Sequence, residues 1–175
     1  MAIEPETKDW TWVLERPCAD CGFDAATVVF DEIPAALRAN SRRWQRVLAD
    51  GGETLTRRPD EATWSPLEYA AHVRDVFRII LSRVELMLVI DDPQVLDWSQ
   101  DATQVEQRYN AQSPATVSRE LGAAGEALAV ALELVSPGQR SRPGRRSDGA
   151  AFTVESIAKY CLHDVTHHAW DVAAH

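Results

Sequence analysis

The sequence predicts an all-α protein: a four-helix bundle domain over residues 25–175, preceded by an irregular N-terminal arm over residues 1–24. Three observations support this class. Apolar residues recur at helical spacing in long segments, Ser-Pro pairs stand at the start of two of them, and no segment alternates apolar and polar residues with the period of two typical of strands. With 175 residues, 45% of them hydrophobic, the chain can bury a core of ordinary size in one domain.

The first two predicted helices have clear ends. Apolar side chains at helical spacing define the first helix over about residues 30–48, and the breakers Asp-Gly-Gly at residues 50–52 end it. The second helix begins at "SPLE", where Ser65 is the N-cap, Pro66 the first helical residue and Glu68 the third residue after the cap. It continues to the breaker sequence "DDP".

The third and fourth predicted helices follow a polar connection, "QVLDWSQDATQVEQRYNAQ". The third helix opens with Ser113 and Pro114 and continues to Val135, just before "SPG". A basic loop rich in breakers comes next, and Thr153 is the predicted cap of a fourth helix that runs to the C-terminus.

The composition excludes several classes of partner. The net charge of −9 disfavours binding to nucleic acid and to anionic membrane surfaces. The start "MAIEPETKDWTWVLERP" lacks the basic-then-apolar pattern of a secretion signal, and no apolar run is long enough to span a membrane. We therefore expect a cytoplasmic protein with a small-molecule substrate. There Cys18, Cys21 and Cys161 would stay reduced, and they are too few for a disulfide framework.

The last helix carries two histidine-containing pairs in "HDVTHHAWDV". At about 100° per residue, His163 and His167 fall opposite the apolar face, whereas Asp164 and His168 fall at its edge. Each pair has the i, i+4 spacing that lets two side chains bind one metal ion. Only Asp164 and His168 point towards a groove where another helix can add a ligand.

The second helix offers that ligand. His72 lies at the edge of its apolar stripe, so His72, Asp164 and His168 are the candidate metal ligands, with His163 and His167 as alternatives. A histidine at the edge of an apolar face also packs without binding a metal, and pairs four residues apart arise by chance. The residues alone leave both interpretations open.

These motifs resemble those of the DinB-like superfamily, four-helix proteins that include mycothiol-dependent maleylpyruvate isomerase and related bacterial thiol transferases. The resemblance covers roughly residues 30–175 and rests on "WSPLEYAAHVRD", on "DDP" with the polar stretch after it, and on "HDVTHHAWDV". Family members place one histidine ligand in the second helix, followed by x-x-Asp, which matches His72 and Asp75. They place two more ligands four residues apart in the last helix, which matches Asp164 and His168.

The resemblance is closer to the isomerase branch, because that branch has a carboxylate where many relatives have histidine and where this chain has Asp164. It implies a divalent-metal-dependent thiol S-transferase or isomerase that uses a low-molecular-weight thiol of the mycothiol type. Asp171 matches the polar residue near the end of the motif. His163 or His167 would replace the predicted ligands if the helix were rotated or irregularly wound.

Two imidazoles and one carboxylate suit zinc best, and nickel, iron or manganese as well. Three protein ligands leave a coordination position open, as in catalytic sites, and a thiol or water bound there loses its proton more readily. Glu68 and Asp75 lie one turn either side of His72 and are candidates to orient its imidazole. Asp171, three residues after His168, is the corresponding candidate there. Each of these carboxylates equally fits a solvated helix charge.

Two other functions fit the same residues. Water in the open position would make the protein a metal-dependent hydrolase. Without any turnover, the bundle would be a non-catalytic module that binds a metal or ligand. A homodimer is a further expectation for a bundle of this type.

The basic loop "GQRSRPGRRSDGA" ahead of the last helix holds Arg140, Arg142, Arg145 and Arg146. Arg142 and Arg145 are the candidates to hold an anionic cofactor or a substrate carboxylate by bidentate contacts. Such a loop is also simply solvated in many proteins.

The sequence "CADC" at residues 18–21 is half of a zinc knuckle, and no second CxxC exists to complete four sulfur ligands. It also fits a redox pair, an extra metal contact or a local turn. Cys161 lies on the apolar face of the last helix and is predicted to be a core residue.

Overall fold

The structure, a computed structural model, describes residues 9–174. Four long helices form the bundle, and a short helix lies in the connection between the second and third long ones. The α-helices within residues 9–174 are α1 (Ile33–Asp50), α2 (Pro66–Val89), α3 (Gln100–Glu106), α4 (Pro114–Glu133) and α5 (Val154–Ala174). None of these helices combines the length and the apolar composition that crossing a bilayer requires. The prediction of an all-α four-helix bundle is confirmed.

The helix starts follow the predicted caps. In α2 the Ser65 hydroxyl accepts a hydrogen bond from the Glu68 N–H at 3.2 Å, and the Glu68 carboxylate accepts one from the Ser65 N–H at 2.9 Å. This reciprocal pair satisfies two N–H groups that a helix start otherwise leaves unpaired. At the start of α4 the Ser113 hydroxyl accepts a hydrogen bond from the Thr116 N–H, without a reciprocal bond. At the start of α5 the Thr153 hydroxyl accepts from the Ser156 N–H at 3.1 Å.

The order of helices around the bundle is not their order in the chain. Helix α4 packs between α1 and α2, and α5 packs against α2 and α1 on the other side. Helices α1 and α2 therefore lie largely diagonal to each other. Their shared core contains fully buried Trp44, Phe77, Leu121 and Leu128, together with Cys161 as predicted. This arrangement places the N-terminal third of α2 beside the middle of α5.

Two features were not predicted from the sequence. The polar connection contains α3, whose first turn is capped by Ser99. A small sheet joins β1 (Gln94–Val95), β2 (Pro143–Arg146) and β3 (Ala151–Thr153), with β1 parallel to β2 and β2 antiparallel to β3. Strands of two to four residues are too short to show alternation, so the interpretation of residues 138–150 as a loop alone was wrong. The sheet brings β2 to the base of α5.

The N-terminal arm packs against the bundle in its described part. A 3-10 turn (Thr11–Leu14) contacts α5, and Val13, Cys18 and Phe23 are buried. Cys18 and Phe23 join the hydrophobic core itself. Residues 1–8 of the predicted arm, like the terminal His175, lie outside the described residues. The division of the chain at residues 24 and 25 stays a prediction.

Two glycines on α4 give a matched test of how closely the helices approach. A Cβ on Gly125 would lie 2.2 Å from the Ser41 hydroxyl and 3.1 Å from the Phe77 ring, both buried. A Cβ on Gly122 would meet only the amide end of Gln45, which can move. We expect Gly125→Ala to destabilise the fold by about 1–2 kcal/mol, because overpacking outweighs the gain in helix propensity.

We expect Gly122→Ala, in contrast, to stabilise the fold by up to about 1 kcal/mol, because alanine is the better helix former. Urea denaturation of the two variants beside the wild type measures both changes. Equal effects of the two substitutions would show that α4 does not need its close approach to α1 and α2 at Gly125.

Candidate metal centre

Three polar side chains meet where α2 faces α5. His72 comes from the second turn of α2, and Asp164 and His168 come from successive turns of α5. The Nε2 atom of His72 lies 3.4 Å from Oδ1 of Asp164, and Nε2 of His168 lies 3.3 Å from the same oxygen. The potential ligand atoms of all three lie within 4.8 Å of one another. We call this cluster the His72 site.

The polar atoms of the His72 site lack ordinary partners. His72 is fully buried, and both of its ring nitrogens, as well as Oδ1 of Asp164, have no hydrogen-bond partner among residues 9–174. The contacts of 3.3 and 3.4 Å are too poorly aligned to be hydrogen bonds. An unpaired buried polar group costs about 1–3 kcal/mol, so native proteins rarely keep one without a reason.

A metal ion would supply that reason. Nitrogen and oxygen ligands at about 2.0–2.1 Å from a tetrahedral zinc ion lie roughly 3.3 Å from each other. The distances from Asp164 to His72 and His168 match this edge length. The residues present therefore fit a divalent cation.

A carboxylate supports one of the imidazoles. Nδ1 of His168 lies 2.9 Å from Oδ2 of Asp171, one turn further along α5. With the proton on Nδ1, the hydrogen bond to Asp171 holds the ring so that Nε2 points at Asp164. Histidines that bind metals in proteins usually have such a partner on their second nitrogen.

The carboxylate of Glu68 makes no hydrogen bond to His72. It accepts hydrogen bonds from Nε of Arg58 at 2.8 Å and from the side-chain amide of Gln104 at 2.7 Å. Burial favours a raised pKa for Glu68, but the hydrogen bonds from Arg58 and the Ser65 N–H outweigh it and hold the pKa below the usual value. This carboxylate ties the start of α2 to the connection that follows it.

Asp75 also has partners other than His72. It accepts hydrogen bonds from Nε of Arg74 at 2.9 Å and from the Tyr109 hydroxyl at 2.6 Å. Of the three carboxylates predicted to orient an imidazole, Asp171 alone hydrogen bonds to a candidate ligand in the described part of the chain.

The pKa values of the three side chains show that the His72 site holds a negatively charged carboxylate beside a neutral imidazole. Burial lowers the pKa of His72 and keeps its ring neutral. Burial would raise the pKa of Asp164, but the two histidines beside it outweigh this and hold the pKa well below the usual range. Burial lowers the pKa of His168 too, yet Asp164 and Asp171 raise it to about 9. The site therefore attracts positive charge.

Aromatic rings surround the two histidines. The Trp98 ring stacks on His72 with centroids 5.4 Å apart and an angle of 4°, and Trp64 meets the same imidazole edge-on at 5.3 Å. Tyr69 lies 5.1 Å from His168. These rings hold the imidazoles in place and keep bulk water from His72.

One side of the His72 site opens to a pocket of about 80 Å³. Asp164 lines it together with Arg83, Arg146, Tyr160 and Trp98. This pocket could not be predicted from the sequence, because Arg146 reaches it through the unpredicted strand β2 and Trp98 through the polar connection. The apolar stripe of α2 gave no signal for Arg83.

The loop arginines predicted to hold an anion have partners within the protein. Nε of Arg142 donates to the Met87 carbonyl at 2.6 Å, and its Nη2 donates to the Ile90 carbonyl at 3.0 Å, at the C-terminal end of α2. Arg145 pairs with Asp92. A cofactor-binding role for Arg142 and Arg145 stays a prediction.

His163 and His167 face a different neighbour, the N-terminal arm. Sulfur Sγ of Cys18 lies 3.6 Å from Nδ1 of His167, and Cys21 and His163 complete a cluster of four potential ligand atoms within 4.8 Å. We call this cluster the arm site. The two histidines are only 3% and 8% exposed, although the helical periodicity put them opposite the apolar face. The arm covers that side of α5, which the periodicity of one helix cannot reveal.

Burial also dominates the ionisation of the arm site. It lowers the pKa of His163 to about 4, with His167 contributing, so the ring is neutral at pH 7. Burial and the neighbouring Cys18 thiol raise the pKa of Cys21 to about 11.

The fold and the His72 site together define a class: four-helix proteins in which facing helices carry a histidine and aspartate cluster. The family model described as the DinB superfamily matches residues 36–172, most of the sequence. The chain therefore belongs to the DinB superfamily, as its motifs predicted.

A solved structure has the same fold. YfiT from Bacillus subtilis, a probable metal-dependent hydrolase with an unusual four-helix bundle topology, superposes with a TM-score of 0.75. The match covers 83% of this chain and 84% of that chain at 16% sequence identity, so it shows similarity of fold. A comparison with curated proteins gives no match.

Proposed function

We propose that this protein is a divalent-metal-dependent enzyme that activates a low-molecular-weight thiol, of the mycothiol type, for S-transfer to a small electrophile or for its isomerisation. The observation that carries the proposal is the convergence of His72, Asp164 and His168, with buried polar atoms that lack hydrogen-bond partners. Zinc is the ion we propose, and nickel, iron and manganese suit the same ligands.

The ligand set supports catalysis more than a structural role. Three protein ligands leave a coordination position free, whereas structural zinc sites are closed by four. The ion, when bound, would stabilise the deprotonated form of a thiol or water in that position. Asp171 would keep the His168 ring aligned for binding.

The pocket beside Asp164 supports a small, anionic substrate. Its volume of about 80 Å³ is well below the roughly 300–1,000 Å³ of sites for drug-sized ligands. Arg83 and Arg146 place two positive charges on its wall, which the carboxylates of Asp97 and Asp164 also line, and Tyr160 adds a hydroxyl. These groups would orient a carboxylate next to the metal. The net charge of −9 argues against nucleic acid or an anionic membrane as partner.

The thiol is supported by the resemblance to the isomerase branch, in which a carboxylate stands at the position of Asp164. Hydrolysis is the second candidate, because the fold matches that of YfiT, a probable metal-dependent hydrolase. The two reactions differ in what occupies the free position, so one assay separates them.

The test compares metal-depleted and zinc-loaded protein in turnover of a small electrophile with mycothiol, glutathione or no thiol. We expect turnover that needs both zinc and a thiol and falls at least about 100-fold on metal removal, since a metal contributes several kcal/mol to such steps. Cys161→Ala, a core change that removes none of the candidate ligands, is the control. Turnover without any thiol would contradict the proposal and indicate hydrolysis. Saturable thiol binding without turnover would also contradict it and indicate a non-catalytic binding module.

A further inference from the structure

The arm site combines four side chains of the kind that bind zinc. Cys18 and Cys21 come from the arm, and His163 and His167 from adjacent turns of α5. Cys18 and both histidines are buried, and Cys21 is half-buried. No disulfide joins the cysteines in the described residues, where all three thiols are free.

A second observation points to a ligand at this site. Nε2 of His163 is buried and has no hydrogen-bond partner among residues 9–174. Because the residue is only 3% exposed, bulk water does not supply one either. A thiol is a weak hydrogen-bond donor, so the neighbouring cysteines do not compensate for it. A cation would satisfy this nitrogen and the sulfurs at once.

The backbone turns both cysteines to the same side. The Gly22 N–H donates to the Cys18 carbonyl at 2.9 Å, and the Cys18 N–H donates to the Phe23 carbonyl at 2.8 Å. Gly22 has a φ of +74°, a conformation that side chains disfavour. The tight turn therefore presents two sulfurs to α5, where His163 and His167 lie one turn apart.

The distances suit a tetrahedral ion. With zinc–sulfur bonds of about 2.3 Å and zinc–nitrogen bonds of about 2.0–2.1 Å, a sulfur and a nitrogen ligand lie roughly 3.6 Å apart. Sγ of Cys18 and Nδ1 of His167 are 3.6 Å apart. All four ligand atoms lie within 4.8 Å of one another, so side-chain adjustments of no more than about an ångström bring them to tetrahedral distances.

The surroundings resemble those of a closed site. Trp10 lies 5.1 Å from His167, and Phe23 meets His163 edge-on at 5.4 Å. Nε2 of His167 faces Oδ1 of Asp171 at 3.7 Å, while the other oxygen of Asp171 binds His168. Asp171 thus lies between the two clusters and touches one histidine of each.

We infer that Cys18, Cys21, His163 and His167 bind a second zinc ion in a closed structural site that fastens the arm to α5. Four protein ligands leave no open position, so this ion stabilises rather than catalyses. It holds His167, and through Asp171 it restrains His168 of the His72 site. The inference stands whether or not the His72 site is catalytic.

Cobalt substitution of the full-length protein tests the inference, because thiolate ligands give Co²⁺ an intense charge-transfer absorption that imidazole and carboxylate do not. We expect this absorption in the wild type, a weaker one in Cys21→Ser, its loss in the Cys18→Ser/Cys21→Ser double variant, and its retention in Cys161→Ala. His72→Ala should keep the absorption while losing the other bound cobalt. Failure at the His72 site is thereby told apart from failure at the arm site.

An absent charge-transfer absorption in the cobalt-loaded wild type would overturn the inference, as would its undiminished persistence in the Cys18→Ser/Cys21→Ser double variant. Should the double variant fold poorly, alkylation of the wild type decides the matter. Zinc is expected to slow alkylation of Cys21. Equal rates of Cys21 alkylation with and without zinc would contradict the second site. So would a Cys18–Cys21 disulfide in protein that, after reduction, takes up no zinc.

Discussion

Replacing His72 with alanine is expected to lower the affinity of the His72 site for zinc by more than about 100-fold. Loss of a hydrogen-bond partner of a metal ligand typically lowers the affinity about 10–100-fold, and loss of the ligand itself should lower it further. Its imidazole comes from α2, and no other described residue of α2 belongs to the cluster. The variant should still fold, because the substitution removes a buried imidazole whose nitrogens lack hydrogen bonds. Competition with a metal-binding dye, beside circular dichroism, measures both properties.

A graded series sharpens this result. Asp171→Asn weakens the hydrogen bond to His168 and should cost about 10–100-fold in affinity. His168→Ala should match His72→Ala, whereas His167→Ala should leave the ion of the His72 site in place. If His167→Ala strips that ion and His168→Ala does not, the assignment of ligands on α5 is wrong.

Asp75→Ala is expected to lower the free energy of unfolding by about 3 kcal/mol, the low end of the range for breaking a buried ion pair. The Arg74 side chain is 4% exposed, and the substitution removes the carboxylate that its guanidinium binds in a bidentate manner. It also removes the acceptor of the Tyr109 hydroxyl. The low end applies because Glu120 still contacts Arg74 at 3.2 Å. Urea denaturation at pH 7 measures the change.

The control is Glu126→Ala, which removes one partner of Arg38. It should leave stability almost unchanged, because the Glu126 side chain is 55% exposed and solvent screens that pair. Acid gives a second readout. Burial would raise the pKa of Asp75, but hydrogen bonds from Arg74 and Tyr109 hold it below 3.8. The contribution of Asp75 is therefore present above pH 3.8 and lost as the pH falls through the lowered value. An Asp75→Ala protein as stable as the wild type would show that the network contributes nothing.

Much of the fold could be predicted because helix starts are local events. A capping box connects Ser65 to Glu68, and the caps at Ser113 and Thr153 likewise act within one turn. The short strands β1 to β3 could not be predicted, because pairing across 50 residues, as between Gln94 and Arg145, leaves no periodic signal in either segment.

The partners of Glu68, Asp75 and Asp171 also differ in whether the sequence could predict them. Sequence position placed Glu68 and Asp75 one turn from His72, but Arg58 and Gln104 engage Glu68, while Arg74 and Tyr109 engage Asp75. Asp171 contacts His168 on its own helix, where three residues along the chain is also one turn in space.

By itself, the sequence determined the four long helices, the pairing of Asp164 with His168 on one face of α5, and the membership of the DinB superfamily. Each depends on contacts within a turn or on short motifs. The sequence proposed His72 as the partner of that pair, but only the tertiary structure shows how close their atoms lie. It alone shows that residues 149 positions apart, Cys18 and His167, lie 3.6 Å from each other. Such contacts follow from how helices and arm pack against a common core, and no local spacing encodes them.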